Sequence, residues 1–111
     1  MENFNAALGL SLAEDGSSVI LDTRPEHQVA PEVIHFAVLA TLGEVAAAQA
    51  AGGAVVPASV TVQLLTRARP GRLVGKGRLL CRGRTLVVAE GEVFQDENLV
   101  AKVAVTFAAV A

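Results

Sequence analysis

One stretch constrains this chain more than any other: Pro31 to Gly53, reading PEVIHFAVLATLGEVAAAQAAGG. It is rich in Ala and Val, holds no Lys or Arg, and is the only segment long and even enough for an extended helix. Pro31 and Glu32 suit a helix first turn, and Gly52-Gly53 suit its end. A helix that is apolar on nearly every side is normally buried. Past its first turn this one carries a single carboxylate, Glu44. A buried, unpaired carboxylate is costly unless it is protonated, hydrogen-bonded or used. Glu44 therefore reads either as a general base or nucleophile in a dry pocket, its pKa raised by burial, or as a surface residue on a partly buried helix. Ala37 and Thr41 before it and Ala48 after it share its face. These small side chains leave room for a ligand or a close-packed strand. His35 would lie on the opposite face of a continuous helix. A joint site then requires His35 in the loop or first turn, or two subunits; otherwise His35 is a capping or structural residue.

The segments around the helix read as strands. Asn3 to Leu8 suits a short helical turn, and Gly9 to Glu14 a strand. Asp15-Gly16 signals a hairpin into a second strand, Ser18 to Arg24. Pro25 to Ala30 reads as a loop. After Gly53 the period becomes two: Val60, Val62 and Leu64 alternate with Ser59, Thr61 and Gln63. Further strands run from Arg72 to Arg82, Thr85 to Phe94 and Leu99 to Ala109, separated by turns at Pro70-Gly71, Gly83 and Gln95 to Asn98. In the first of these, Leu73, Leu79 and Cys81 alternate with Arg72, Lys76, Arg78 and Arg82; in the last, Ala101, Val103, Val105 and Phe107 share a face. A hairpin, one helix and a meander of strands make an α+β domain in which a curved antiparallel sheet wraps the helix. With 111 residues and no linker, residues 1–111 read as a single domain. Unpaired strand edges in such a fold favour dimerisation.

Several function classes are excluded. The chain has no Trp or Tyr and a formal net charge of −2. That argues against base stacking and against a general basic field for nucleic acid. One cysteine allows no internal disulfide and no Cys cluster for a metal; its place between Leu80 and Arg82 suggests a small buried filler. His27, His35 and Glu44 are badly spaced for zinc, and no P-loop, dinucleotide fingerprint or nucleophile elbow occurs. No metal or resident cofactor is expected. The helix carries an acid at its centre and lacks flanking anchors, so a membrane span is not expected. No secretory signal is visible, which makes the cytoplasm the expected compartment. Between Arg67 and Arg84 stand seven basic residues and no acid (Arg67, Arg69, Arg72, Lys76, Arg78, Arg82 and Arg84). They suit either a phosphate-binding patch or the solvated face of a hairpin.

The run HFAVLATLGE from His35 to Glu44 resembles the H-G-G-x-L-x-T-L-x-D/E signature of hotdog-fold acyl-CoA thioesterases of the phenylacetate-pathway and 4-hydroxybenzoyl-CoA type. The downstream order is similar as well: ARPGR, LVGKGR, an RGR turn, then FQDENLVAK leading into a strand ending in Thr106-Phe107. The resemblance extends from about Leu8 to the end of the chain. It implies a hotdog fold, a homodimer that joins its sheets, and often a homotetramer. It implies hydrolysis of acyl-CoA thioesters at a dimer interface, with CoA as part of the substrate. Glu44 then falls on the catalytic carboxylate, His35 on the motif histidine, and Phe36 on the residue whose backbone N–H polarises the thioester carbonyl. Thr41 and Ala48 would face the substrate, and Arg67, Arg69, Arg78, Arg82 and Arg84 the CoA phosphates. The chain departs from the signature at named places. His-Phe-Ala replaces His-Gly-Gly, Val29 stands where a polar Asn or Gln is usual, Glu32 replaces a Gly, and Ala48 replaces a frequent hydroxyl residue. Two other readings follow. One is a non-catalytic acyl-CoA-binding or degenerate hotdog dimer. The other is an enoyl-CoA hydratase or dehydratase of the same fold, in which His27 would partner Glu44 and the EVAAAQ run (Glu44 to Gln49) matches that group.

Overall fold

A computed structural model describes residues 3–110. A short helix α1 (Phe4–Leu8) is capped by the Asn3 side chain, which accepts from the Ala6 N–H. The hairpin β1 (Ser11–Leu12) and β2 (Val19–Asp22) follows, with β1 much shorter than the alternation of Gly9 to Glu14 suggests. Its turn is tied by the Asp15 carboxylate, which accepts from the backbone N–H groups of Ser17 and Ser18. A 3-10 turn (Pro25–His27) leads to a two-stranded ribbon, β3 (Gln28–Ala30) and β4 (Val33–Ile34). The long helix α2 is Phe36–Ala51. Four long strands complete the chain: β5 (Val55–Leu64), β6 (Arg72–Arg82), β7 (Leu86–Gln95) and β8 (Asn98–Ala109).

All but the β3–β4 ribbon join one antiparallel sheet in the order β1-β2-β6-β7-β8-β5. The helix packs across it, chiefly on β6, β7 and β8. The inward alternation of β8 is as expected: Ala101, Val103, Val105 and Phe107 are all buried. They meet Leu42, Ala46, Ala47 and Ala51 from α2. The sheet comes very close to the helix because glycines line the contact. A Cβ added at Gly91 would stand 1.9 Å from the Gly43 carbonyl oxygen, and one at Gly77 would stand 2.0 Å from that of Ala46.

Besides the shortened β1 and the Pro25 to Ala30 loop that is instead a 3-10 turn and a strand, the structure changes three sequence-based expectations. Pro31 and Glu32 do not begin the helix; they form the turn of the β3–β4 ribbon, with Glu32 at φ 66°. The helix starts five residues later, at Phe36. Second, the register of β6 on β7 slips between Leu79 and Cys81. This bulge, one extra residue in one strand, turns the following side chains over. Cys81 comes opposite Val88 and is exposed, not a buried filler, and Arg82 comes opposite Val87 on the helix side. Third, α2 is buried on one side only. Phe36, Ala37 and Gln49 are exposed, and Thr41, Glu44 and Ala48 are half-buried.

Candidate functional site

The start of α2 is built by His35. Its backbone is extended (φ −62°, ψ 139°), and its Nδ1 accepts from the Ala37 N–H at 2.9 Å. The Val38 N–H donates to the His35 carbonyl. The Phe36 N–H, the first of the helix, is left without a partner among the described residues, as first-turn donors are. It sits where the helix dipole presents partial positive charge. The Phe36 ring stacks on the imidazole, with centroids 4.8 Å apart and planes at 28°. His35 therefore belongs to the turn before the helix, and its side chain caps that helix.

His35 and Phe36 stand on the lining of a cavity of about 460 Å³. Its other walls come from distant places: Val29 of β3, Val33 and Ile34 of β4, Leu39 of α2, and the Leu64 to Ala68 segment that leaves β5. Ile34 is fixed there by its N–H donating to the Ala68 carbonyl. The lining is mostly hydrocarbon, with Thr66 and Arg67 as further polar members.

Glu44 lies elsewhere. It faces a second cavity of about 310 Å³, together with Asn5, Val45, Ala48, Gln49 and the Gly52-Gly53 end of the helix. Desolvation of the half-buried carboxyl pushes its pKa above the ordinary 4.5, because burial disfavours the charged form. Among the described residues no cation lies within salt-bridge distance of it. Thr41, one turn before, donates its hydroxyl to the Ala37 carbonyl at 2.8 Å. A single chain thus places the carboxylate in one cavity and the free helix-start amide in another, as the spacing of His35 and Glu44 requires.

The basic run is dispersed. Arg72 forms a two-bonded pair with Asp22, which holds that carboxyl below its usual range. Arg78 bonds the largely buried Glu90, which Lys102 also approaches at 3.5 Å. Arg82, carried to the helix side by the bulge, donates to the Ala51 carbonyl at the end of α2. A cation there suits the negative end of the helix. The Lys76 ammonium lies over the Phe94 ring. Arg67, Arg69 and Arg84 have no acidic partner among the described residues; Arg67 is on the large cavity and Arg84 in the turn between β6 and β7. His27 is only 3% exposed. Its Nδ1 accepts from the Arg24 N–H, and its Nε2 lies 3.3 Å from the Arg24 guanidinium. Its imidazole is enclosed by its own loop, and it shares neither cavity with Glu44. No cluster of side chains suited to a metal occurs among the described residues, and no helix there is long and apolar enough to cross a membrane.

Sequence reasoning singled out Glu44, His35 and Phe36 as candidates but did not anticipate the cavity of about 460 Å³. Its walls are far apart in sequence, and no periodic signal links Val29 and Val33 to Leu64 and Leu65.

A long helix laid in a curved antiparallel sheet defines this as a hotdog fold. The chain belongs to the thioesterase superfamily, whose sequence profile matches residues 32–102. No protein of curated function matches the sequence. Among solved structures, the Mycobacterium tuberculosis protein Rv1847/MT1895 is 27% identical over 96% of this chain and 95% of its own, with a TM-score of 0.87. Two more distant structures share the fold. A variant of the phenylacetic acid degradation protein PaaI from Thermus thermophilus is 24% identical over 98% of this chain and 100% of its own, TM-score 0.87. A Bacillus halodurans protein crystallised with CoA is 18% identical over 97% of this chain and 76% of its own, TM-score 0.85.

Proposed function

We propose that the chain is an acyl-CoA thioesterase that works as a homodimer, with Glu44 as general base or nucleophile. The observation that carries this is Glu44 itself: a half-buried carboxylate without a cationic partner among the described residues, its pKa raised by burial, on the helix of a thioesterase-superfamily fold. The bound CoA in one fold relative supports the ligand class.

The dimer follows from the edge of the sheet. Among the described residues strand β5 pairs only with β8, so its other edge is open, and Val56, Val60 and Leu64 are exposed along the strand. A second copy paired there would extend the sheet and cover apolar surface. It would also let Glu44 of one chain meet the Phe36 amide of the other, which one chain does not do. In the base form of the reaction, Glu44 takes a proton from water as the water oxygen attacks the thioester carbon. The Phe36 N–H and the helix start hold the oxyanion. The C–S bond then breaks, the proton passes to the CoA sulfur, and a carboxylic acid and CoA leave. The side chains of Arg67, Arg69 and Arg84 are engaged by no acid, ring or helix carbonyl among the described residues and remain for CoA phosphates.

The test is thiol release from short, medium and aromatic acyl-CoAs by wild type and Glu44→Ala. Release that disappears in the variant while the fold persists supports the reading; release retained in the variant refutes it.

A further inference from the structure

Val29 and Phe36 are two of the places where the chain departs from its family signature. In sequence they look unrelated, and each removes something a thioesterase of this type commonly has. In the folded chain they stand on the lining of the same cavity. Both are large apolar side chains with much of their surface exposed, 61% for Val29 and 56% for Phe36. Neither has a place in the core that would explain it. The Phe36 ring stacks on an imidazole whose Nδ1 accepts from the Ala37 N–H. The opposite wall adds Leu65, 53% exposed. A volume of about 460 Å³ lies within the range of small-molecule sites.

We infer that this cavity receives the hydrocarbon part of the acyl group, and that Val29 and Phe36 are specificity-determining residues selecting unsubstituted chains over chains bearing hydroxyl or charge. The inference rests on the thioesterase reading for the ligand's CoA part. Phe36 lines this cavity, and its amide is the proposed seat of the thioester carbonyl, so an acyl chain held there has an apolar cavity beside it. A hydroxyl carried into the apolar wall would lose its water and find few partners. The two departures then form one adaptation that narrows the acyl group accepted, and they do not mark a ruined active site.

The test uses binding, which needs no turnover. Wild-type protein is titrated calorimetrically with CoA thioethers bearing ethyl, butyl, hexyl and octyl chains, and with the hexyl thioether carrying a terminal hydroxyl. The expected result is a gain of about fourfold in affinity per methylene until the cavity is full. The hydroxylated chain should bind on the order of tenfold more weakly than its parent. Val29→Asn and Leu65→Asn, both at exposed positions, should flatten the series and shrink the hydroxyl penalty. Affinity independent of chain length would overturn the inference and indicate that a second copy of the chain fills the cavity. A series unchanged in Val29→Asn would overturn the role of Val29. The two readings fail separately. Graded binding without hydrolysis of any thioester removes the catalytic reading and keeps the pocket. Glu44-dependent hydrolysis indifferent to chain length does the reverse, and no binding of any CoA thioether overturns both.

Discussion

Replacing Gly91 by Ala should do far more harm than one methyl group ordinarily does. The new Cβ would stand 1.9 Å from the Gly43 carbonyl oxygen, 2.7 Å from its carbonyl carbon and 3.0 Å from its Cα. All three are backbone atoms of α2, so no side chain can turn aside. A carbon-to-oxygen contact of about 3.3 Å requires the helix to retreat by about 1.4 Å from the sheet. Overpacking of a core costs about 1–3 kcal/mol and occasionally more, and a shift of backbone places this case at the upper end. For a domain of this size about 3 kcal/mol corresponds to a fall of about 12 °C in melting temperature. Gly16→Ala is the control. It has a left-handed φ of +75° but no atom within 4 Å, so only backbone strain of about 1 kcal/mol is expected, or roughly 4 °C. Gly77→Ala, whose Cβ would meet the Ala46 carbonyl at 2.0 Å, should resemble Gly91→Ala. The double variant should cost less than the sum, because one retreat of the helix relieves both clashes. Thermal and urea melts of the four proteins measure this. A Gly91→Ala protein that melts no lower than Gly16→Ala would refute the close-contact argument.

Three further outcomes are expected. Glu44 has a folded pKa above its ordinary 4.5, so ionisation opposes folding: below that value there is no penalty, and it accrues as pH rises toward the folded pKa. Glu44→Gln should therefore melt above wild type at neutral pH and level with it near pH 4; a constant gap across that range would contradict the assignment. Phe36→Pro removes the helix-start N–H at a position that tolerates proline, after a residue already extended. Steady-state assays should find kcat down about 100-fold to 1000-fold, with Phe36→Ala much less affected, and co-expressed Phe36→Pro and Glu44→Ala chains should regain activity only if each site uses both subunits. Arg82→Leu removes the donor to the Ala51 carbonyl and should cost about 1–2 kcal/mol in urea melts; an unchanged midpoint would show that water replaces it fully.

Helix, meander and hairpin were legible because each rests on a local signal: unbroken Ala and Val in α2, alternation in β8, Asp15-Gly16 at the first turn. What was not legible depends on single backbone choices. Pro31-Glu32 has the composition of a helix start, yet Glu32 takes a left-handed φ and closes a ribbon instead, which leaves His35 as the cap. The bulge near Leu79 carries no composition signal, and it alone decides that Arg82 meets the helix while Cys81 faces outward. Glu44 could be chosen as a site because a lone acid in an apolar helix is conspicuous. The cavity could not, because its walls are far apart in sequence and meet through tertiary contacts such as the bond from the Ile34 N–H to the Ala68 carbonyl.

Strand β5 has ten residues, VVPASVTVQL, and none carries a charge. Exposed edges in monomeric proteins are commonly blunted by lysine or other charges; here only Pro57 and the nearby register slip interrupt it. A freshly synthesised chain thus presents a strand ready to pair with any extended backbone that arrives first. Dilution would lengthen that interval, and overproduction would multiply unsuitable encounters. On the proposed pairing of β5 with a second copy, the yield of correctly assembled protein should peak at an intermediate synthesis rate, and a lysine placed at Thr61 would trade that assembly for solubility.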